Sequence, residues 1–269
     1  MKFSKSVPAL RHRAFAAIAF VLSATCSQAD VWDRQTINDN GPATRQELVH
    51  GSNEQHDLAT RVVGDRSEID QDWFRVAQKA YASYEVVVER SSGDICPVSL
   101  ARIDGDGASV LQNSVAVGLG CTRSLRWING PATVTRQFIR VDSAACAGST
   151  TCAADDTYRL RKYETTYAVP RFNNAGSQVS VLIVQNTSDG RIAGTVHFWG
   201  VDGALAGSRG FVLNPRASLV LNTTTVVPGI TGSITVANDG RYGSLTGKVV
   251  ALDPATGFSF DTAMEARPY

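Results

Sequence analysis

Across 269 residues the chain carries 26 basic and 25 acidic side chains. That near balance gives no reason to expect nucleic acid, whose binding requires a concentrated basic surface, and no polybasic tract is present for anionic lipid. Residues 1–29 hold Lys2, Lys5, Arg11 and Arg13 and no acid, so the remaining 240 residues carry 22 basic against 25 acidic side chains, a net charge of −3. That length suits two domains, each with its own core.

Residues 1–29 read as a cleaved signal peptide: a basic start, an apolar run from Ala14 to Ala24, and the small-residue site Ser27-Gln28-Ala29. The run is too short for a stable span, so no transmembrane segment is expected in the mature chain. Ser23-Ala24-Thr25 before Cys26 fits a lipoprotein signal poorly. The mature chain is expected to be exported, to the periplasm or outside the cell. From Asp30 to about Arg66 the sequence is polar, with NDNGP and HGSN as turns. One or two edge strands are expected there, and ATRQELVHG could make a helical turn.

From Asp70 to Glu89 two alternating runs flank a compact turn. Phe74 and Val76 share one face against Trp73 and Arg75; Tyr84, Val86 and Val88 repeat the pattern against Glu85 and Glu89. The spacing predicts a hairpin lying on a core, with Trp73 the one large apolar side chain on the other face. Asp72-Trp73-Phe74, this strand pair and the Ala80-to-Tyr84 turn together resemble the bacterial pre-peptidase C-terminal domain over about residues 31–163. The resemblance takes in ELVHGSNEQHDLA upstream and closes on TYRLRKY, with Tyr158 and Leu160 facing in and Arg159 and Arg161 out. It implies a jelly-roll-like β-sandwich without catalytic machinery of its own, in an accessory role. Where that family's turn usually carries glycine this chain has Tyr81, and because tyrosine tolerates positive φ poorly the turn type stays open.

Four cysteines remain after the leader, Cys96, Cys121, Cys146 and Cys152. An even number in an exported chain argues for disulfides, and zinc would want a CxxC pair or a nearby histidine. Of three connectivities, Cys96 with Cys121 and Cys146 with Cys152 is preferred, since CAGSTTC favours a local bridge. Each bond would add ~2–4 kcal/mol. PVSLARI and ASVLQ flank Asp104-Gly105-Asp106-Gly107 as a tight hairpin, and SLRWI and ATVTRQFIRV flank Asn129-Gly130-Pro131.

ETTYAVPRF makes the junction to a second domain at 164–269. QVSVLIVQN, GTVHFWGV, RGFVL, SLVLN, GSITVAN and GKVVALD alternate with turn chemistry such as SDG, VDG, NPR and NDG. The pattern predicts an immunoglobulin-like sandwich of about seven strands. The run from Arg171 to Thr262 is similar to C-terminal domains of uncharacterised exported bacterial proteins, a resemblance that transfers no activity. The fold expected is therefore all-β, two antiparallel β-sandwich domains after a signal peptide.

Catalysis is not expected. His50, His56 and His197 are the histidines left after the leader, and neither a GxSxG elbow nor HExxH is present. Ser149 and Ser233 read as structural, and EQHDL as a solvated loop. No cofactor is expected, with calcium as the alternative at Asp104 and Asp106 or at Asp70 and Asp72, all read first as turn and strand-end residues. The candidate ligand-binding residues are Thr195, His197 and Trp199, which alternate with Val196 and Phe198. If those two take the core, an outward Trp beside a His makes a stacking platform for a sugar ring or a partner's aromatic group. The competing reading is that Trp199 packs under a loop or against the first domain. The function expected is recognition of carbohydrate or protein at the cell surface, or service as an accessory to secreted proteins. The alternatives are a structural spacer and, after that, a secreted hydrolase of unfamiliar type.

Overall fold

The computed structural model describes residues 39–63, 66–132, 136–146 and 152–267; the predicted leader and Ser149 lie outside them. The first half contains β1 (Glu47–Leu48), β2 (Asn53–Asp57), β3 (Arg61–Val63), β4 (Arg66–Glu68), β5 (Asp72–Val76), β6 (Ser83–Arg90), β7 (Val98–Ile103), β8 (Val110–Asn113), β9 (Val115–Ala116), β10 (Arg123–Ile128), β11 (Gln137–Ser143) and β12 (Thr157–Glu164). The second contains β13 (Tyr167–Asn173), β14 (Val179–Asn186), β15 (Ile192–Gly200), β16 (Leu205–Leu213), β17 (Ser218–Asn222), β18 (Thr231–Asn238), β19 (Leu245–Asp253), β20 (Phe258–Ala263) and β21 (Glu265–Ala266). Helical structure among the described residues is confined to 3-10 turns at Ala144–Cys146 and Thr223–Thr225. ATRQELVHG, read as a helical turn, instead contains β1, which joins β5 in parallel at the sheet edge. The main sheet ladders are otherwise antiparallel.

The first sandwich faces the sheet β1-β5-β11-β7-β8 against β2-β12-β6-β10-β9. Phe74, Val76, Tyr84, Val86, Val88, Leu125, Ile139, Tyr158 and Leu160 form its core. Each such side chain contributes up to about 1.5–3 kcal/mol by leaving water. The second sandwich faces β16-β15-β18-β13-β21 against β17-β14-β19-β20. Its core is built by period-two burial, with Leu182 and Val184, Val196 and Phe198, and Ile234 and Val236 pointing inward.

The alternation in Asp70–Glu89 places the apolar faces correctly, but β5 and β6 are not a hairpin. β5 pairs with β11 in one sheet and β6 with β10 and β12 in the other. Their apolar faces meet across the sandwich, so residues 77–82 arch from layer to layer. β10 and β11 likewise lie in opposite sheets. β7 and β8 do form the expected hairpin, in which Asp106 accepts the backbone N–H groups of Ala108 (2.8 Å) and Ser109 (2.9 Å). The Ser109 hydroxyl, and then those bonds, hold its carboxyl below the usual range, which is the chemistry of a turn. Trp73 packs on the outer face with Ala101, Ile103 and Phe138 in a small cluster of its own.

Disulfides join Cys96 to Cys121 and Cys146 to Cys152, as fits a chain matured in an oxidising, exported compartment. No helix among the described residues is long and apolar enough to cross a membrane.

The chain passes from β12 to β13 through Thr165 and Thr166 alone, both fully buried. Thr165 N–H donates to the Ser83 carbonyl at 2.8 Å, and Ser83 N–H to the Thr166 hydroxyl at 2.8 Å. Asn238 of β18 donates to the Thr165 carbonyl at 2.8 Å and, through its N–H, to the Ser83 hydroxyl at 3.1 Å. Glu85, expected at the surface of β6, is buried here because its carboxylate accepts Tyr242 N–H at 2.8 Å and the Ser124 hydroxyl at 3.2 Å. Tyr163 stacks on Tyr242 with centroids 4.6 Å apart.

Candidate cation site and the contact between the sandwiches

Along β2 and β5 the period of two sends His56 and Asp72 toward the same end of the first core, where Asp39 joins them. One ligand atom from each of Asp39, His56 and Asp72 lies within 4.8 Å of the others, and all three side chains are buried. Asp70 belongs to the same electrostatic group, since its charge acts on Asp72. The hydroxyl of Tyr158, on β12, donates to Asp72, and Tyr158 stacks over His56 at 5.8 Å. Gln46 holds Asp39 at 3.0 Å, while Trp73 N–H donates to the Asp39 carbonyl at 2.8 Å. The segment around Asp39 is thereby laced to the β5 edge.

Burial and the neighbouring charges of Asp70 and Asp39 raise the Asp72 carboxyl well above its ordinary range, against the opposing pull of His56 and Tyr158. Buried carboxylates this close to one another require compensation by a partner group of the protein, a cation or a proton. The oxygen donors suit a hard cation such as calcium; the imidazole suits zinc or another transition metal better. Asp70 and Asp72 were legible as a pair in the sequence. Asp39 and His56 were not, since only the packing of β2 and the entering segment against β5 brings them in, although NDN and EQHDL each hold one of the groups.

A second polar cluster lies at the other end of β12. Lys162 shares the inward parity of Tyr158 and Leu160 and is buried beside a cavity of about 140 Å³ lined by Leu48, His50, Gln78, Lys79, Tyr84 and Glu164. Its ammonium donates to the Leu48 carbonyl at 2.9 Å and the Ala77 carbonyl at 3.4 Å, and lies 5.2 Å from the Tyr84 ring centroid. Burial brings it down to about 8 despite the favourable charges of Glu164 and Glu47. His50 accepts Glu164 N–H at 2.9 Å and is pushed down to about 4, chiefly by burial and then by Lys162 and Lys79. The ammonium is spent on backbone carbonyls, which tie β1 and the 77–82 arch to β12.

Thr195, His197 and Trp199 leave the core as their alternation with Val196 and Phe198 predicts. The face they occupy is not open. Tyr81, from the arch of the first sandwich, sits edge-on to both rings, 4.9 Å from His197 and 5.2 Å from Trp199. His197 is 7% exposed, neither ring nitrogen has a hydrogen-bond partner among the described residues, and burial lowers its proton affinity. Trp199 and Thr195 are half-buried, and Trp199 donates to the Thr235 hydroxyl at 2.9 Å. These contacts make the face an aromatic seam between the sandwiches, the packing of Trp199 against the first domain that competes with the platform. Tyr81 has φ 57°, so the turn takes the left-handed conformation despite its side chain. That strain, on the order of 1–2 kcal/mol, is offset by the two ring contacts.

No protein-family profile and no curated protein matches the sequence. Among solved structures, the pre-peptidase C-terminal domain of a Bacillus anthracis collagenase aligns with 44% of this chain and 92% of its own, at 11% identity and a TM-score of 0.31. A protein described as secreted from Eubacterium rectale aligns with 81% of this chain and 74% of its own, at 10% identity and 0.27. Another, from Parabacteroides distasonis, aligns with 83% and 92%, at 6% identity and 0.26. Likenesses of this depth bear on neither activity nor ligand.

Proposed function

We propose that the chain is a non-catalytic exported module, its first sandwich of the pre-peptidase C-terminal type and its second immunoglobulin-like, acting in recognition of carbohydrate or protein in the periplasm or outside the cell. The observation that carries this reading is the employment of its histidines. His50 accepts a backbone N–H, His56 stacks on Tyr158, and His197 is wedged against Tyr81. The imidazoles that would serve a hydrolase as general bases are engaged in packing.

In the same reading calcium is held by Asp39 and Asp72, with His56 beside them, and fastens the entering segment to the first sandwich. Thermal melts of the oxidised 30–269 chain with calcium, zinc or chelator test this. Calcium should raise Tm and lose its effect in Asp72→Asn. A larger rise with zinc would replace calcium, and no rise with either would remove the cation from this reading. The recognition role is tested by binding of the same chain to neutral and acidic polysaccharides, peptidoglycan and a secreted-protein extract. Turnover of any of these would overturn the non-catalytic reading.

A further inference from the structure

The sandwiches meet beside a cleft of about 430 Å³ that receives Arg126 from β10 of the first and Arg191, Arg216 and Arg241 from loops of the second, with Asp189 its one acid. Four guanidinium groups against one carboxylate stand out on a mature chain whose net charge is −3. Little of that charge is neutralised within the protein. Arg126 spends one donor on the Asp239 carbonyl at 2.8 Å. Arg216 pairs with Asp189 at 2.8 and 3.1 Å, but both side chains are largely exposed, and such pairs are weak enough for a ligand to displace. Arg191 and Arg241 have no carboxylate partner among the described residues.

The placement of Arg216 is itself unusual. Tyr81 and Arg216 are the non-glycine residues with positive φ among those described. Arg216 has φ 61° in the turn closed by Ala217 N–H on the Asn214 carbonyl at 3.1 Å, a position that glycine or asparagine would occupy with less strain. Tyr81 is explained by its ring contacts. The N–H of Arg216 donates to the Ser188 carbonyl at 3.3 Å and its side chain reaches an exposed aspartate, so the strained turn sets the guanidinium at the cleft.

We infer that this cleft binds an acidic saccharide, a sugar carrying carboxylate, sulfate or phosphate groups. Guanidinium forks meet such planar or tetrahedral anions with paired hydrogen bonds, and the volume falls in the range of about 300–1,000 Å³ typical of small-ligand sites. The walls otherwise carry hydroxyls, glycine backbone and Ile192, without the aromatic anchors that dominate protein–protein contacts. The inference rests on the recognition reading and adds its site and ligand class.

The test is affinity electrophoresis or calorimetry of the oxidised 30–269 chain against polygalacturonate, heparin and a phosphorylated mannan, which separate the three anions. Neutral dextran, poly-glutamate and the secreted-protein extract run beside them. Binding to one or more acidic glycans, weakened at high salt and lowered about tenfold or more in Arg241→Glu and in Arg191→Ala/Arg241→Ala, is the expected result. Arg209→Ala, which removes an exposed charge outside the cleft, should bind as the parent does. An equal loss in Arg209→Ala, or equal binding of poly-glutamate, overturns the proposal in favour of unspecific charge attraction. Binding of dextran or an extract protein but of no acidic glycan overturns this inference alone. No binding in any arm removes the recognition reading with it.

Discussion

The two sandwiches bury different kinds of polar group. The first encloses Asp39, Asp70, Asp72, His56, Glu85, Lys162 and Glu164, and carries both disulfides. The second encloses mostly neutral groups, among them Asn174, Ser180, Asn186, Thr223 and Asn238, with His197 and Tyr167 as its titratable exceptions among the described residues. Asn186 illustrates the difference: its amide donates to the Gly190 and Asn214 carbonyls and its oxygen accepts Ser188 N–H, a network that no change of pH alters. The first sandwich is therefore stable on conditions of redox state and pH, while the second is stable on packing and fixed hydrogen bonds.

Reduction should separate them most sharply. Breaking both disulfides should cost the first sandwich roughly 4–8 kcal/mol at ~2–4 per bond, and hydrogen exchange should show β5, β7 and β11 losing protection well before β14, β15 and β18. Next in size, Asn186→Ala should destabilise the second sandwich by about 2–3 kcal/mol through orphaned carbonyls. In denaturant melts that loss should be the same at pH 5 and pH 9.

A smaller effect comes from Asp72. Its folded-state proton affinity is raised, so the folded chain holds the proton more tightly and stability falls as pH rises past the ordinary carboxylate range of about 4. Without divalent cation, the stability of the parent relative to Asp72→Asn should decline from pH 4 to 7, a difference in which the opposing rise from His50 cancels. A flat difference would break the comparison. The smallest expected effect is at the seam. His197 has a lowered proton affinity, so its contribution is intact above about 6.5 and is lost as pH falls through its folded value. Trp199 fluorescence should shift on acidification, and less so in His197→Phe. Tyr81→Gly should relieve the backbone yet loosen the seam, giving the neutral-pH protein the Trp199 signal of the acidified parent.

Strand placement was legible because alternation is a local property. Phe74, Val86, Tyr158, Val196 and Phe198 all face the cores that their parity indicates. Pairing was less legible: nothing in the runs around Phe74 and Val86 says whether their strands share a sheet or oppose each other, and here they oppose. Glu85, His197 and Trp199 mark a second limit. Their faces are polar or mixed by sequence and would be solvent-facing on an isolated sandwich, but each is covered by residues of the other half. The disulfide Cys146–Cys152 could be read from its short loop, whereas the grouping of Asp39 and His56 with Asp72 depends on tertiary contact alone.

The Thr165–Thr166 crossing bears on how the protein ends its life as well as how it folds. A protease cleaves where it can draw several residues of loose backbone into its own cleft, and here the crossing is two buried residues whose backbone and hydroxyl groups are already bonded to both sides. In a milieu of secreted proteases the seam offers no scissile linker, so the two halves persist together and are degraded together. For the same reason neither half can be transplanted into another chain by a cut at that point without leaving Ser83, Glu85 and Asn238 to find new partners.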